Sequence, residues 1–117
     1  MNKIIFIIIL FCFYIGFSAW VYTSGTELTN TIVPEHALKG KIIWQEKNCI
    51  SCHQIYGLGG YLGPDLTHAI SDEKRGKNYV TALITSGGNR MPDFKFNTEE
   101  VNALVEYLSF VDTISVK

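Results

Sequence analysis

An all-α chain, with one membrane-spanning helix followed by a small helical domain, is what this sequence predicts, and three observations carry the prediction. A charge-free apolar run occupies Ile4 to Tyr22. Two later segments, Glu35 to Asn48 and Asn97 to Val111, repeat apolar residues at helical three- and four-residue spacing. No hairpin signal, internal repeat or low-complexity tract interrupts them. A length of 117 residues leaves room for one small domain and excludes a catalytic core with a separate substrate domain. Lys and Arg total 10 against 11 acidic residues, a net charge of -1, so the chain lacks the basic footprint of a nucleic-acid binder.

Of the 19 residues from Ile4 to Tyr22, 17 are apolar. As a helix the run reaches roughly 28 Å, close to the hydrocarbon thickness of a bilayer. Lys3 lies before the run and Glu27 is the first charge after it. The positive-inside bias therefore puts the N-terminus in the cytoplasm and everything after Tyr22 in the periplasm or on the outer face. Trp20 and Tyr22 stand at the exit end, where amphipathic rings favour the headgroup layer. A cleaved secretory signal is the competing reading, but the run is longer than a signal's apolar region and no small-x-small site follows it. Cys12, preceded by bulky Phe11, reads as an apolar filler. The division expected is an anchor over 1–22 in contact with lipid, a linker over 23–34 and a folded domain over 35–117.

The first helix of that domain is expected over Glu35 to Asn48, with Pro34 at its entry and Ala37, Leu38, Ile42 and Ile43 at helical spacing. Gly40 and Trp44 share a face, and a glycine inside a helix suggests that another helix crosses close to it. From Gln54 to His68, glycines alternate with Tyr56, Leu58, Tyr61, Leu62 and Leu66. That composition predicts a loop wrapped closely around something hydrophobic. Tyr79, Val80, Leu83 and Ile84 predict a short helix closed by a left-handed cap at Gly87 and Gly88. The last helix has capping-box spacing at Asn97 and Glu100, and Phe96 and Val101 are placed for a hydrophobic staple. Its apolar face comprises Val101, Leu104, Val105, Leu108 and Val111.

The chemistry sits in Cys49, Ile50, Ser51, Cys52 and His53, which spell CxxCH, the attachment signature of c-type haem. Two thiols one turn apart can add to the two haem vinyl groups, and the adjacent histidine then reaches the iron. Three other readings compete. A Cys49–Cys52 disulfide would close too short a loop to stabilise much, a thioredoxin-like pair needs a βαβ context, and a zinc site needs a fourth ligand from His36 or His68. An electron-carrying iron also needs a sixth ligand, and a methionine there raises the potential. Met91, stiffened by Pro92, is the only methionine besides Met1, with His68 as the alternative ligand.

Taken together, helix, CxxCH, GlyPro loop, middle helix, methionine strap and C-terminal helix over residues 35–112 resemble the class I cytochrome c fold. More narrowly, GKIIWQEKNCISCHQIYGLGGYLGPDLT and MPDFKFNTEEVNALVEYLSFV resemble the membrane-anchored cytochrome c subunit of nitric oxide reductases. The resemblance implies one covalently bound haem c, with Cys49 and Cys52 as attachment points and His53 and Met91 as iron ligands. It also implies that the Pro64 carbonyl, in the Gly63–Pro64 step, receives the second ring proton of His53. Tyr56, Tyr61 and Arg90 are candidate partners for the haem propionates, and the sequence does not choose among them. Gly40 and Trp44 facing Tyr107 correspond to the crossing of first and last helices in that fold.

In that family this small protein takes electrons from a soluble periplasmic donor and passes them to a large polytopic haem-bearing catalytic subunit. The chain by itself would then catalyse nothing. Between Leu83 and Met91 this sequence has only ITSGGNR, where the family carries a longer excursion. The shortening leaves open an anchored cytochrome serving a terminal oxidase, and an independent anchored or secreted electron carrier is a further reading.

Overall fold

The computed structural model describes residues 2–26 and 32–115. The chain divides into two compact units, Met1–Ile32 and Val33–Lys117. The first is a single helix, α1, over Lys3–Thr26. Its stretch Lys3–Ser24 is long and apolar enough to cross a membrane. The helix therefore continues into the segment expected to be linker. Thr23 allows this by donating its hydroxyl to the carbonyls of Ala19 at 2.8 Å and Trp20 at 3.2 Å, so a polar residue meets its needs inside the helix. The central part of the expected linker, residues 27–31, lies outside the described residues.

The second unit contains α2 (Glu35–Glu46), a 3-10 turn (Cys49–Ser51), strands β1 (Gln54–Ile55) and β2 (Leu58–Gly59), α3 (Gly76–Ser86) and α4 (Thr98–Ser115). Two expectations change here. The first helix stops at Glu46 because Asn48 adopts a left-handed conformation (φ 53, ψ 39), which asparagine tolerates, and this turns the chain into the cysteine segment. The loop after His53 opens with a small antiparallel hairpin, with Gln54 opposite Gly59 and Ile55 opposite Leu58. Its turn residues Tyr56 and Gly57 both have positive φ, at 55° and 74°, the requirement of a type I′ turn. Tyr-Gly is not the Asn-Gly that usually marks such a turn, and strands of two residues carry no alternation to detect.

The core lies where α2 and α4 cross, with α3 packed beside them. The predicted face of α4 (Val101, Leu104, Val105, Leu108, Val111) is buried throughout. On α2 only one of the two apolar stripes faces inward: Ala37, Ile43 and Trp44 are buried, whereas Leu38 and Ile42 remain half exposed. Gly40 is where the crossing is tightest, since a Cβ there would lie 2.0 Å from the Ala103 carbonyl oxygen and 2.7 Å from the Tyr107 Cβ. Trp44 and Tyr107 meet beside it with ring centroids 6.0 Å apart.

The start of α4 forms the predicted capping box. The Glu100 N–H donates to Asn97 Oδ1 and the Asn97 N–H donates to Glu100 Oε2, both at 2.9 Å. Val101 belongs to the core cluster and Phe96 packs against that cluster.

The far end of α4 holds a feature that no sequence pattern flagged. Asp112 is buried, and its carboxylate accepts the Ser71 N–H at 2.7 Å and the Ser71 hydroxyl at 2.9 Å, with His68 Nδ1 at 3.4 Å. The adjacent Val111 carbonyl accepts the Tyr56 hydroxyl at 2.9 Å. The last turns of α4 thus pin both the hairpin and the 68–71 segment. Burial works against the Asp112 carboxylate, but the Ser71 bonds and His68 outweigh it and hold its pKa below the ordinary carboxylate value.

Replacing Asp112 with alanine should remove both charge-assisted hydrogen bonds from Ser71 to the buried end of α4 and lower unfolding stability by about 1–3 kcal/mol in urea titrations. Because the folded-state pKa is depressed, the carboxylate's contribution is complete above the ordinary carboxylate range and is lost as pH falls below it. Asp112→Ala should accordingly narrow its deficit against the parent chain as the pH is lowered through that range. A deficit independent of pH would show that the carboxylate's charge is not what holds the segment.

Candidate functional site

The segment from Cys49 to His53 is one tight turn. The N–H groups of Cys52 and His53 both donate to the Cys49 carbonyl, at 3.2 and 3.0 Å, and the Ser51 N–H donates to the Asn48 carbonyl. Both thiols are free and partly buried. Burial, reinforced by the nearby Cys52, pushes the Cys49 thiol pKa up despite an opposing backbone hydrogen bond. The turn lies on the edge of a cavity of about 650 Å³.

His53 is held from three sides. Its Nδ1 lies 3.0 Å from the Pro64 carbonyl oxygen. A carbonyl can only accept, so Nδ1 carries the proton and Nε2 keeps its lone pair for a metal. Trp44 packs against the ring at 6.3 Å between centroids. On another side lies Gly63, where a Cβ would come within 2.4 Å of His53 Cε1. Only glycine leaves room for the imidazole.

The Pro64 carbonyl is itself steadied from behind. Asp65 accepts the Thr67 N–H at 2.7 Å, the Thr67 hydroxyl at 2.5 Å and the Gly57 N–H at 3.1 Å, and the Thr67 hydroxyl oxygen accepts the Tyr56 N–H at 2.7 Å. These bonds, with that of the Thr67 hydroxyl the largest influence, lower the Asp65 pKa and keep it ionised as an acceptor.

Met91 lines the same cavity and packs against the core cluster. The strap that carries it begins at Gly87, where the structure departs from the expected left-handed cap. Gly87 has φ 71 with ψ −169, a region essentially reserved for glycine. A side chain there would press on the Met91 carbonyl, whose oxygen lies 2.9 Å from the Cβ position and also accepts the Gly88 N–H at 3.0 Å. The short ITSGGNR connection is therefore long enough to bring Met91 to the cavity.

The donor set around this cavity is two free thiols, one imidazole with its second nitrogen spoken for, and one thioether. It fits haem c: Cys49 and Cys52 for the vinyl groups, His53 and Met91 for the iron. The walls are apolar, with Trp44, Leu66, Val80, Leu83, Phe94 and Leu108 among them. Among the described residues no group of three or more His, Cys, Asp or Glu side chains converges, so the zinc reading finds no ligand set. His68 lines the cavity too, but its Nδ1 is turned to Asp112 and to the Ser115 hydroxyl at 3.2 Å.

Of the three propionate candidates only Arg90 lines the cavity. The Tyr56 hydroxyl is committed to Val111, and Tyr61 is 86% exposed. Two cavity cations had no signal in the sequence, Lys47 and Arg75. Arg75 is oriented by Asp72, whose Oδ2 lies 3.5 Å from its Nε and whose Oδ1 caps the N–H groups of Lys74 and Arg75.

Comparison with known proteins agrees with this geometry. The family model described as "Cytochrome C oxidase, cbb3-type, subunit III" matches residues 35–108. The chain is 30% identical to the nitric oxide reductase C-subunit of Halomonas halodenitrificans, over 94% of this chain and 81% of that one. It is 28% identical to the Stutzerimonas stutzeri counterpart, over 79% of this chain and 66% of that protein. The counterpart from Paracoccus denitrificans is 26% identical over 83% and 73%. A chain with a cytochrome c-type domain over residues 35–108, similar over 94% of its length to the Halomonas halodenitrificans protein, belongs to the nitric oxide reductase C-subunit family of c-type cytochromes.

Proposed function

We propose that this chain is the electron-transfer subunit of a nitric oxide reductase complex, anchored by residues 1–22 and carrying one covalently bound haem c in the domain over 35–117. When bound, haem c supplies reversible one-electron chemistry at iron. The chain's own residues do the rest. Cys49 and Cys52 would hold the porphyrin through their thiols, His53 and Met91 would ligate its iron, and Pro64 fixes the tautomer and orientation of His53. The apolar walls exclude water. With His53 and Met91 both committed to the iron, no reactant would find an open site on this chain, and reduction of nitric oxide would belong to a catalytic partner subunit. That partner is a large polytopic haem-bearing membrane protein, and the donor is a soluble carrier on the periplasmic side.

The observation that carries this reading is the His53 Nδ1 bond to the Pro64 carbonyl, which leaves Nε2 free beside two free thiols and in the same cavity as Met91. Similarity to a nitric oxide reductase protein over 94% of the chain supports that assignment over a terminal oxidase. The test is the intact mass of the mature polypeptide made in cells that attach haem c. One added haem mass is expected, and its loss when both cysteines are replaced by alanine. A polypeptide of unmodified mass overturns the reading.

A further inference from the structure

His68 lines the cofactor cavity, where His53 and Met91 are already the assigned iron ligands. Its ring is anchored from the α4 side. Nδ1 lies 3.4 Å from Asp112 Oδ1 and 3.2 Å from the Ser115 hydroxyl oxygen. That hydroxyl donates its own proton to the Asp112 carbonyl at 2.6 Å, so toward the imidazole it can only accept. Nδ1 therefore faces two acceptors and carries a proton, and Nε2 is the nitrogen left to gain or lose one. The two partners differ in exposure: the Asp112 side chain is 7% exposed and that of His68 is 62% exposed. A buried carboxylate thus meets an imidazole that exchanges protons with water.

Asp112 is the fixed negative charge of this pair. It stays ionised despite burial, held by the Ser71 N–H and hydroxyl. An anion beside an imidazole favours the imidazolium. The other charged groups around the pair are Asp65, whose charge reaches His68, and the cavity residues Lys47, Asp72, Arg75 and Arg90. The Thr67 hydroxyl bond holds Asp65 below the ordinary carboxylate value, and the Arg75 N–H does the same for Asp72. Tyr56, near Asp112, is pushed above the ordinary phenol value by burial and then by that carboxylate. Histidine is the side chain whose ordinary titration falls between about pH 5 and 8. His53 and His68 are the histidines of the cavity wall, and His53 is assigned to the iron, which leaves His68 to change charge near neutrality.

We propose that His68, seated on Asp112, is a redox-linked proton site: its Nε2 binds a proton from water when an electron enters the cofactor and gives it back when the electron leaves. The inference rests on the electron-transfer function proposed above. The driving force is charge balance. One electron adds one negative charge to the cavity, and the imidazolium offsets it. Charges on the order of 10 Å apart, roughly the width of such a cavity, change a proton affinity by about two- to tenfold at effective dielectrics between about 80 and 20. The reduced chain holds the proton more tightly, so the midpoint potential is highest below the imidazole range and falls as pH rises through it. Acid thereby favours electron loading.

The test uses the haem-loaded full chain in detergent and the variant His68→Asn, whose side-chain amide keeps an N–H near the place of Nδ1 but does not titrate. Between about pH 5 and 8, the parent's midpoint potential should fall by about 20–60 mV, the two- to tenfold change above at 59 mV per tenfold for one electron. His68→Asn should give a flat potential with the absorption spectrum of the parent. Asp112→Asn, which removes the anion and keeps the shape, should move the fall to lower pH. Proton NMR of the parent reads the site without a substitution: the ring signal of His68 should titrate at higher pH in the reduced chain than in the oxidised one. A pH-independent potential in the parent, or identical His68 titrations in the two redox states, overturns the proposal. So does a fall of unchanged size in His68→Asn, which would assign the proton to a haem propionate instead. A chain that carries no haem mass overturns the underlying function, a result distinct from all of these.

Discussion

Gly40→Ala should destabilise the domain strongly. The added carbon would lie 2.0 Å from the Ala103 carbonyl oxygen and 2.6 Å from its carbonyl carbon, both backbone atoms of α4 that no rotamer change can move. The helices must separate, and the buried packing of Ile43, Trp44, Leu104 and Leu108 opens with them. Overpacking of this kind costs about 3 kcal/mol, and the gain of about 1 kcal/mol from replacing a helical glycine offsets only part of it. For a domain of this size a net loss of about 2 kcal/mol lowers the melting midpoint by roughly 8–16 °C. Far-ultraviolet circular dichroism during heating measures it, and an unchanged midpoint would mean that α2 and α4 do not approach this closely.

Gly63→Ala should act on the ligand instead. Its Cβ would sit 2.4 Å from His53 Cε1 and 2.6 Å from Nδ1, so either the imidazole leaves its place or the Pro64 segment retreats. Both break the bond from Nδ1 to the Pro64 carbonyl. Loss of such a supporting bond weakens a metal–imidazole link about 10- to 100-fold. The expected outcome is a haem that remains covalently attached, because Cys49 and Cys52 are untouched, but whose iron shifts from low-spin six-coordinate toward high-spin character. Absorption spectra with intact-mass measurement separate the two properties. A low-spin spectrum identical to the parent's would show that the ring is not confined by Gly63.

Asp112→Ala and Gly63→Ala mark the boundary of what pattern reading reaches. CxxCH, the apolar N-terminal run, the α4 face and the Asn97–Glu100 cap are each defined by spacing within one stretch of chain, and local spacing survives in a string of letters. The glycine at position 40 was legible as a close crossing, and the resemblance to the class I cytochrome c fold named the last helix, with Tyr107, as the neighbour. The hairpin at Tyr56–Gly57 escaped because its turn dipeptide is atypical. Leu38 and Ile42 kept helical spacing but ended up half exposed, since periodicity gives a stripe and not the direction it faces.

The amino-acid sequence alone determined the covalent chemistry on offer, the membrane-length helix and the order of elements, because those depend on residues a few positions apart. The tertiary structure decided which nitrogen of His53 is free, which cations reach the cavity, and that Asp112 braces its wall. Each of those depends on a hydrogen bond or contact between residues far apart in sequence, and such pairings leave no periodic trace until the chain has folded.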